Sequence, residues 1–224
     1  MIPVTFSNRK DRKKKKRNGK PVHDPSYLNI PGWFNCPTAL HTIICKIPDN
    51  DFVYVEVGTF MGRSLTYFTD TAIKYSKKGK IYGIDTFDGS PEHRDKNNIS
   101  YIPELESNPN YLYEQYLRYT KPIKEHIETI RGQSIEVSQQ FEDNSIDALY
   151  LDAAHDYDNV LKDLNAWYPK MKKEQLLLLG DDWKWEGVRT AAIEFTRDNG
   201  LCLLFPQDNH YIITNFEFLQ NYGL

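Results

Sequence analysis

The sequence predicts an α/β protein: a doubly wound, mostly parallel sheet of seven strands whose last strand is antiparallel. Three observations carry that expectation. Apolar runs of strand length alternate with helical segments along most of the chain, the pattern left by crossover connections between parallel strands. Two of these runs, Leu149-Tyr-Leu-Asp152-Ala-Ala-His155 and Leu176-Leu-Leu-Leu-Gly-Asp181-Asp182-Trp183, stop abruptly in carboxylates. Strands buried on both faces read this way, and ligands bind beyond their carboxyl ends. Finally, the apolar runs at 201–205 and 211–214 are separated by Pro206-Gln-Asp-Asn-His210, which reads as a closing hairpin.

The elements follow in order. Residues 1–25 read as a tail closed by Pro21 and Pro25, and Pro31-Gly32 marks a turn. A short helix is expected over 38–45, then a first strand over 51–58 that runs into a glycine turn. A helix over 64–75 is expected to end at Gly79, and a second strand covers 80–85. A third strand at 127–132 precedes a short helix at 137–141. The fourth strand, 148–152, leads into a helix over 158–168, and the fifth, 176–180, into a helix over 187–199. Between the second and third strands lies a long excursion, about 86–125. It holds Pro91, Pro103, Pro109 and Pro122 and a tyrosine-rich helical piece with Tyr111, Tyr113, Tyr116 and Tyr119. Such insertions serve as lids or as surface flaps; a substrate lid and a homo-oligomer contact both remain open.

Composition narrows the class. The 224 residues suffice for one α/β domain, read as residues 26–224 with the excursion as its insertion. At 40% hydrophobic and 26% charged the chain is an ordinary globular protein, and a net charge of -3 does not favour nucleic acid as partner. No apolar stretch approaches the roughly 20 residues of a spanning helix, and no hydrophobic signal region opens the chain. Cys36, Cys45 and Cys202 lack metal-ligand spacing. Reduced thiols in a cytoplasmic protein are the expectation. The basic run Arg9-Lys-Asp-Arg-Lys-Lys-Lys-Lys-Arg17 reads as a solvated, disordered tail, with a nucleic-acid arm or an anionic-surface tether as the functional alternatives.

The chemistry lies at the strand ends. Glu56-Val-Gly58-Thr59-Phe-Met-Gly62-Arg-Ser64 places glycines at a strand-to-helix turn, where backbone can approach a ligand and a helix N-terminus offers free N–H groups. The Gly-x-Gly-x-x-Gly spacing of dinucleotide enzymes is absent. Glu56 would repel a pyrophosphate there, so a ligand with a cationic amino-acid end suits the loop better. Asp85 ends the second strand 23 residues beyond Gly62, the kind of offset at which an acid accepts hydrogen bonds from ribose hydroxyls. Gln133 and Ser134 follow the third strand, where they could flank an adenine or merely form a polar turn. If the fourth and fifth strands are neighbours, Asp152, Asp181 and Asp182 crowd into one mouth with His155. Three carboxylates so placed repel one another unless a proton or a cation joins them.

With these motifs the chain resembles a class I S-adenosylmethionine-dependent methyltransferase of Rossmann-like fold, from about Val53 to Thr214. Glu56 and Gly58 match the first motif and Asp85 the second. Asp152 with Asp181-Asp182 is similar to the metal-dependent sugar O-methyltransferases of macrolide and aminocoumarin type, and more distantly to catechol O-methyltransferase. The resemblance implies S-adenosylmethionine held by Glu56, Gly58, Thr59, Gly62, Ser64, Asp85, Gln133, Ser134 and Asp152. It implies a divalent cation, typically Mg²⁺, on Asp152, Asp181 and Asp182, a sugar-like hydroxyl acceptor, and catalytic roles for Asp152 and for His155 as general base. Ala153-Ala154 departs from the Gly-Asp often found between that aspartate and histidine. A nucleic-acid methyltransferase using the basic run, and a binding module of the same fold without turnover, are the competing readings.

Overall fold

The computed structural model describes residues 26–222, so the basic run at 9–17 lies outside the described residues. In chain order the strands are β1 (Asn50–Val57), β2 (Lys78–Asp85), β3 (Glu128–Arg131), β4 (Ala148–Leu151), β5 (Leu178–Gly180), β6 (Cys202–Gln207) and β7 (His210–Thr214). They form one sheet in the order β3-β2-β1-β4-β5-β7-β6. All neighbours from β3 across to β5 pair in parallel, while β7 inserts antiparallel between β5 and β6. This is the expected sheet, antiparallel last strand included.

Side chains alternate between two cores, as the period of a strand requires. Tyr54, Tyr150 and Leu179 face one layer with Leu40 of α1 (Pro37–Lys46) and Phe68 of α2 (Arg63–Lys74). Val55, Leu149, Leu151 and Leu178 face the other, with Trp167 of α6 (Tyr157–Trp167) and Phe195 of α7 (Glu186–Asp198). The excursion carries α3 (Pro91–Arg94) and α4 (Tyr111–Thr120), and α4 seats Leu112, Tyr116 and Thr120 in the core. The Tyr116 hydroxyl meets Thr129 Oγ1 of β3 at 2.9 Å.

The structure corrects three boundaries. Gly79 does not end α2: the reversal is made by Ser76 at φ 60°, and Gly79 sits inside β2, where a Cβ would overlap Phe52 of β1. Close strand packing, and not a helix stop, is what needs that glycine. The helix expected at 137–141 is α5 (Ser134–Ser138), because Gln133 already has the extended backbone of an N-cap. Phe141 lies beyond it, against Trp167 and Tyr82. In the fifth strand only Leu178–Gly180 pairs as strand, with Leu176 and Leu177 buried on the approach. The last element of the described residues is α8 (Phe216–Tyr222).

Candidate active site

The carboxyl ends of β1, β2, β4 and β5 form one edge, and the start of antiparallel β7 meets it. Pairing of Leu151 with Gly180 sets β4 and β5 level, so Asp152 and Asp181 leave the sheet side by side. Asp152 N donates to Val57 O and Asp181 N to Leu151 O, which pins both residues by their backbones. The Tyr150 hydroxyl reaches between them, 3.3 Å from Asp152 Oδ2 and 3.0 Å from Asp181 Oδ2. Behind it lies Cys36 Sγ at 3.5 Å, in a fully buried position. Burial, then the charges of Asp181 and Asp182, push the Asp152 carboxyl well above the usual carboxylate range.

Asp182 occupies the left-handed region at φ 61°, a conformation that costs on the order of 1 kcal/mol in a non-glycine residue. Its Oδ2 stands 2.9 Å from His155 Nε2, while His155 Nδ1 faces Glu92 Oε1 of α3 at 3.3 Å. The Trp185 ring stacks on this imidazole at 5.0 Å. The hydrogen bond that His155 donates to Asp182, outweighing burial, raises the His155 pKa above its ordinary value. Burial acts to raise Asp182, but His155 and Asn209 outweigh it and hold that carboxyl low. Asn209 Nδ2 donates to Asp181 Oδ1 and Asp182 Oδ1 at 3.2 and 3.3 Å. His210, whose Nδ1 donates to Asp208 O, lies with Nε2 3.0 Å from Asp181 Oδ1. Asp152, Asp181 and Asp182 also line a cavity of about 20 Å³ with Asp163 and Tyr211. Asp163 is pushed up to about 6, mainly by burial.

Sequence reasoning missed Glu92, Tyr150, Asn209 and His210. Antiparallel β7 must begin at the edge where β5 ends, and that rule was the available signal for Asn209 and His210.

Beside the acid mouth is the glycine loop. Gly58 has φ 90° and any Cβ would overlap Asp152 O, so backbone of β1 and β4 touch there. Gly62, at φ 84°, caps α2 without a side-chain cap of its own, and the Glu56 carboxylate takes the Leu65 N–H of the first turn. Thr59 Oγ1 is buried without a partner. Asp85 is held by the loop itself: Phe60 N donates to Oδ2 at 2.8 Å and Phe87 N to Oδ1 at 2.7 Å. Burial raises its carboxyl against those bonds.

Glu56 turns inward. Fully buried, it accepts from Ser64 Oγ at 2.7 Å and from Tyr54 Oη at 3.0 Å, and burial pushes it up to about 7. Its carboxylate and Ser64 therefore anchor the first turn of α2 beneath the loop. Gln133 is exposed at the start of α5, while Ser134 Oγ accepts from Trp167 Nε1 at 2.8 Å and so ties α5 to α6.

The donor set is chemically suited to a hard cation, since Asp152, Asp181 and Asp182 offer only oxygen. As the side chains stand, no three His, Cys, Asp or Glu among the described residues converge on one point. No described helix is long and apolar enough to cross a membrane.

Known proteins match this architecture. A family model described as a methyltransferase domain matches residues 55–183, from β1 to just past Asp182. The O-methyltransferase NovP superposes with a TM-score of 0.58 at 14% identity, covering 80% of this chain and 79% of NovP. CalS11, a TDP-rhamnose 3'-O-methyltransferase of calicheamicin biosynthesis, gives 0.51 at 18% identity over 80% and 76% of the two chains. The uncharacterised protein y4gI of Sinorhizobium fredii is 24% identical over 163 residues, 67% of this chain. The chain spans 17% of y4gI, and less than two thirds of the curated relatives it matches. A match over more than half the chain, on the strands that carry the glycine loop and the acid mouth, makes this protein a member of the methyltransferase-domain family, the class I S-adenosylmethionine-dependent enzymes its motifs resemble.

Proposed function

We propose that the chain is an O-methyltransferase that uses S-adenosylmethionine to methylate a hydroxyl of a sugar or glycosylated small molecule, assisted by a divalent cation such as Mg²⁺. The observation that carries this reading is the His155–Asp182 pair at 2.9 Å inside a mouth of three aspartates, level with the glycine loop. NovP and CalS11, an O-methyltransferase and a TDP-rhamnose 3'-O-methyltransferase by name, support the hydroxyl and sugar parts of it.

The residues fit the cofactor. Gly58 and Gly62 clear space for backbone approach, the orphaned Thr59 hydroxyl lacks a partner that a ligand would provide, and Asp85 retains lone pairs beyond its two backbone bonds. When bound, S-adenosylmethionine supplies an electrophilic sulfonium methyl group. Asp152, Asp181 and Asp182 would hold the cation, whose contribution is to make a weakly acidic acceptor hydroxyl easier to ionise.

His155 supplies the proton acceptor. Carboxylates facing both ring nitrogens favour the protonated imidazole, since neutral imidazole offers only one N–H. Asp182 keeps Nε2–H oriented. Once the Nδ1 proton has been lost to solvent and Glu92 of the excursion helix α3 is drawn aside, Nδ1 can accept the acceptor hydroxyl proton. His155 keeps the acceptor's proton while bound S-adenosylmethionine would give up its methyl group to the acceptor oxygen by cleavage of the sulfonium C–S bond and leave as S-adenosylhomocysteine. Because the displacement is a one-step transfer, positioning supplies much of the rate.

The test is calorimetry with S-adenosylmethionine, with and without Mg²⁺, followed by a transfer assay on a panel of sugar nucleotides and glycosides. Cofactor binding and methylation of a sugar hydroxyl are expected. A well-folded protein that binds no cofactor refutes the proposal.

A further inference from the structure

A second concavity lies on the other side of α3, and nothing in the chemistry above uses it. It measures about 340 Å³ and is walled by Trp33, Phe60, Met61, Ile99, Tyr101 and Ile102. That volume is at the small end of what ring-bearing ligands occupy. None of these side chains carries a charge at neutral pH, so the cleft selects a neutral, apolar guest.

Its walls are built and not accidental. Gly32 O accepts from Arg63 Nη1 of α2 at 2.6 Å, hanging the Trp33 segment from the first turn after the glycine loop. His93 stacks on both Phe60 (5.1 Å) and Trp33 (5.9 Å), with ring planes within 26° and 18° of parallel. The opposite wall is tied to the same helix, since Ile102 N donates to His93 O at 2.9 Å. Yet Trp33 is 67% exposed and Ile99 fully exposed. Two large apolar side chains left in water around one cleft mark a surface that expects a partner.

The cleft is continuous with the acid mouth through consecutive residues. His93 belongs to the cleft wall, and Glu92 beside it touches His155. Phe60 lines the cleft with its ring while its N–H holds Asp85. A ligand seated here therefore lies one helix, α3, away from the proton acceptor.

We propose that this cleft binds an uncharged aromatic ring system of the acceptor, stacked against Trp33 and packed under Ile99, while the attached hydroxyl-bearing part reaches past α3 to His155. This rests on the O-methyltransferase reading and adds the substrate class: a ring-bearing glycoside, not a free sugar. Ring stacking and burial of apolar surface supply the selectivity.

The full-length protein labelled with 5-fluorotryptophan gives the test, its Trp33 resonance assigned by Trp33→Phe. Titration with 4-nitrophenyl β-glucoside is expected to move that resonance at concentrations about tenfold lower than methyl β-glucoside requires. Ile99→Asp should weaken the aryl response about tenfold while its calorimetric affinity for S-adenosylhomocysteine stays within about twofold of the parent. Equal responses to the two glucosides, an unchanged Ile99→Asp titration, or a Trp33 shift that follows protein concentration alone (a second copy in the cleft) would overturn the inference. Absence of S-adenosylhomocysteine binding with the aryl response intact would instead sink the methyltransferase reading and leave the cleft a ring site.

Discussion

The α-carbon of Gly58 rests against the carbonyl oxygen of Asp152, with no room for a side chain between them. This contact locks the cofactor loop after β1 to the first residue of the acid mouth after β4, so the two halves of the site share one backbone seam.

Gly58→Ala should therefore lose more than local fit. A methyl group would overlap backbone of the neighbouring strand and would have to adopt φ 90°, costing about 3 kcal/mol or more. Urea denaturation is expected to show that loss, with cofactor binding abolished at temperatures where the variant remains folded. An alanine variant of parental stability would disprove the seam.

Glu56 makes stability depend on pH. Its folded pKa of about 7 exceeds the ordinary 4.5 because burial penalises the charged carboxylate. The folded state thus binds the proton more tightly than the unfolded one. That contribution is full below the ordinary value and is lost as pH rises to about 7, a change of roughly 3 kcal/mol. Glu56→Gln, neutral throughout, should close on or overtake the parent in denaturant stability between about pH 5 and pH 8. A stability difference that stays flat over that range would rule the assignment out.

How much of this was legible in the chain depends on what each residue does. Asp152, Asp181 and Asp182 stand out because apolar strands end at them, and the Leu151–Gly180 pairing brings the ends level. Asp85 and the glycines are legible for the same reason, as punctuation after a strand. Tyr150 is hidden because it is an apolar-run residue whose hydroxyl matters only once β5 lies beside it. Glu92 is hidden further still: it belongs to an excursion without periodicity, and only tertiary folding carries α3 back to His155. Glu56 was legible as important, but sequence does not reveal that its carboxylate turns beneath the loop.

Asp152→Asn separates stability from function. The Asp152 carboxyl is raised by burial and by the negative charges of Asp181 and Asp182, so removing its charge relieves repulsion. The variant is expected to unfold at a higher denaturant concentration than the parent in EDTA, by about 1 kcal/mol. Mg²⁺ at about 100 times its dissociation constant should stabilise the parent by about 2.7 kcal/mol and the variant far less. Methyl transfer should fall about 100-fold or more. Equal stabilisation of both proteins by Mg²⁺ would remove Asp152 from the cation site.

Two carboxylates, Glu92 and Asp182, flank His155 and set its titration. The Asp182 hydrogen bond, then the charges of Asp182 and Glu92, hold the imidazole pKa above its ordinary value. A base must be unprotonated to act, so the rate should rise with pH through a midpoint above about 6.5. Glu92→Gln removes one charge and places a neutral amide near Nδ1, so the midpoint should move to lower pH with the high-pH plateau within a few-fold of the parent. His155→Ala should lower that plateau by about 100-fold and abolish the titration. A Glu92→Gln profile that superimposes on the parent's would show that Glu92 leaves His155 before the acceptor's proton is taken and has no hold on the ionisation that limits the rate. An unchanged plateau in His155→Ala would hand the proton to another group at the mouth. His210 is the nearest such group in kind, with Nε2 3.0 Å from Asp181, and His210→Ala in the same assay would then distinguish them.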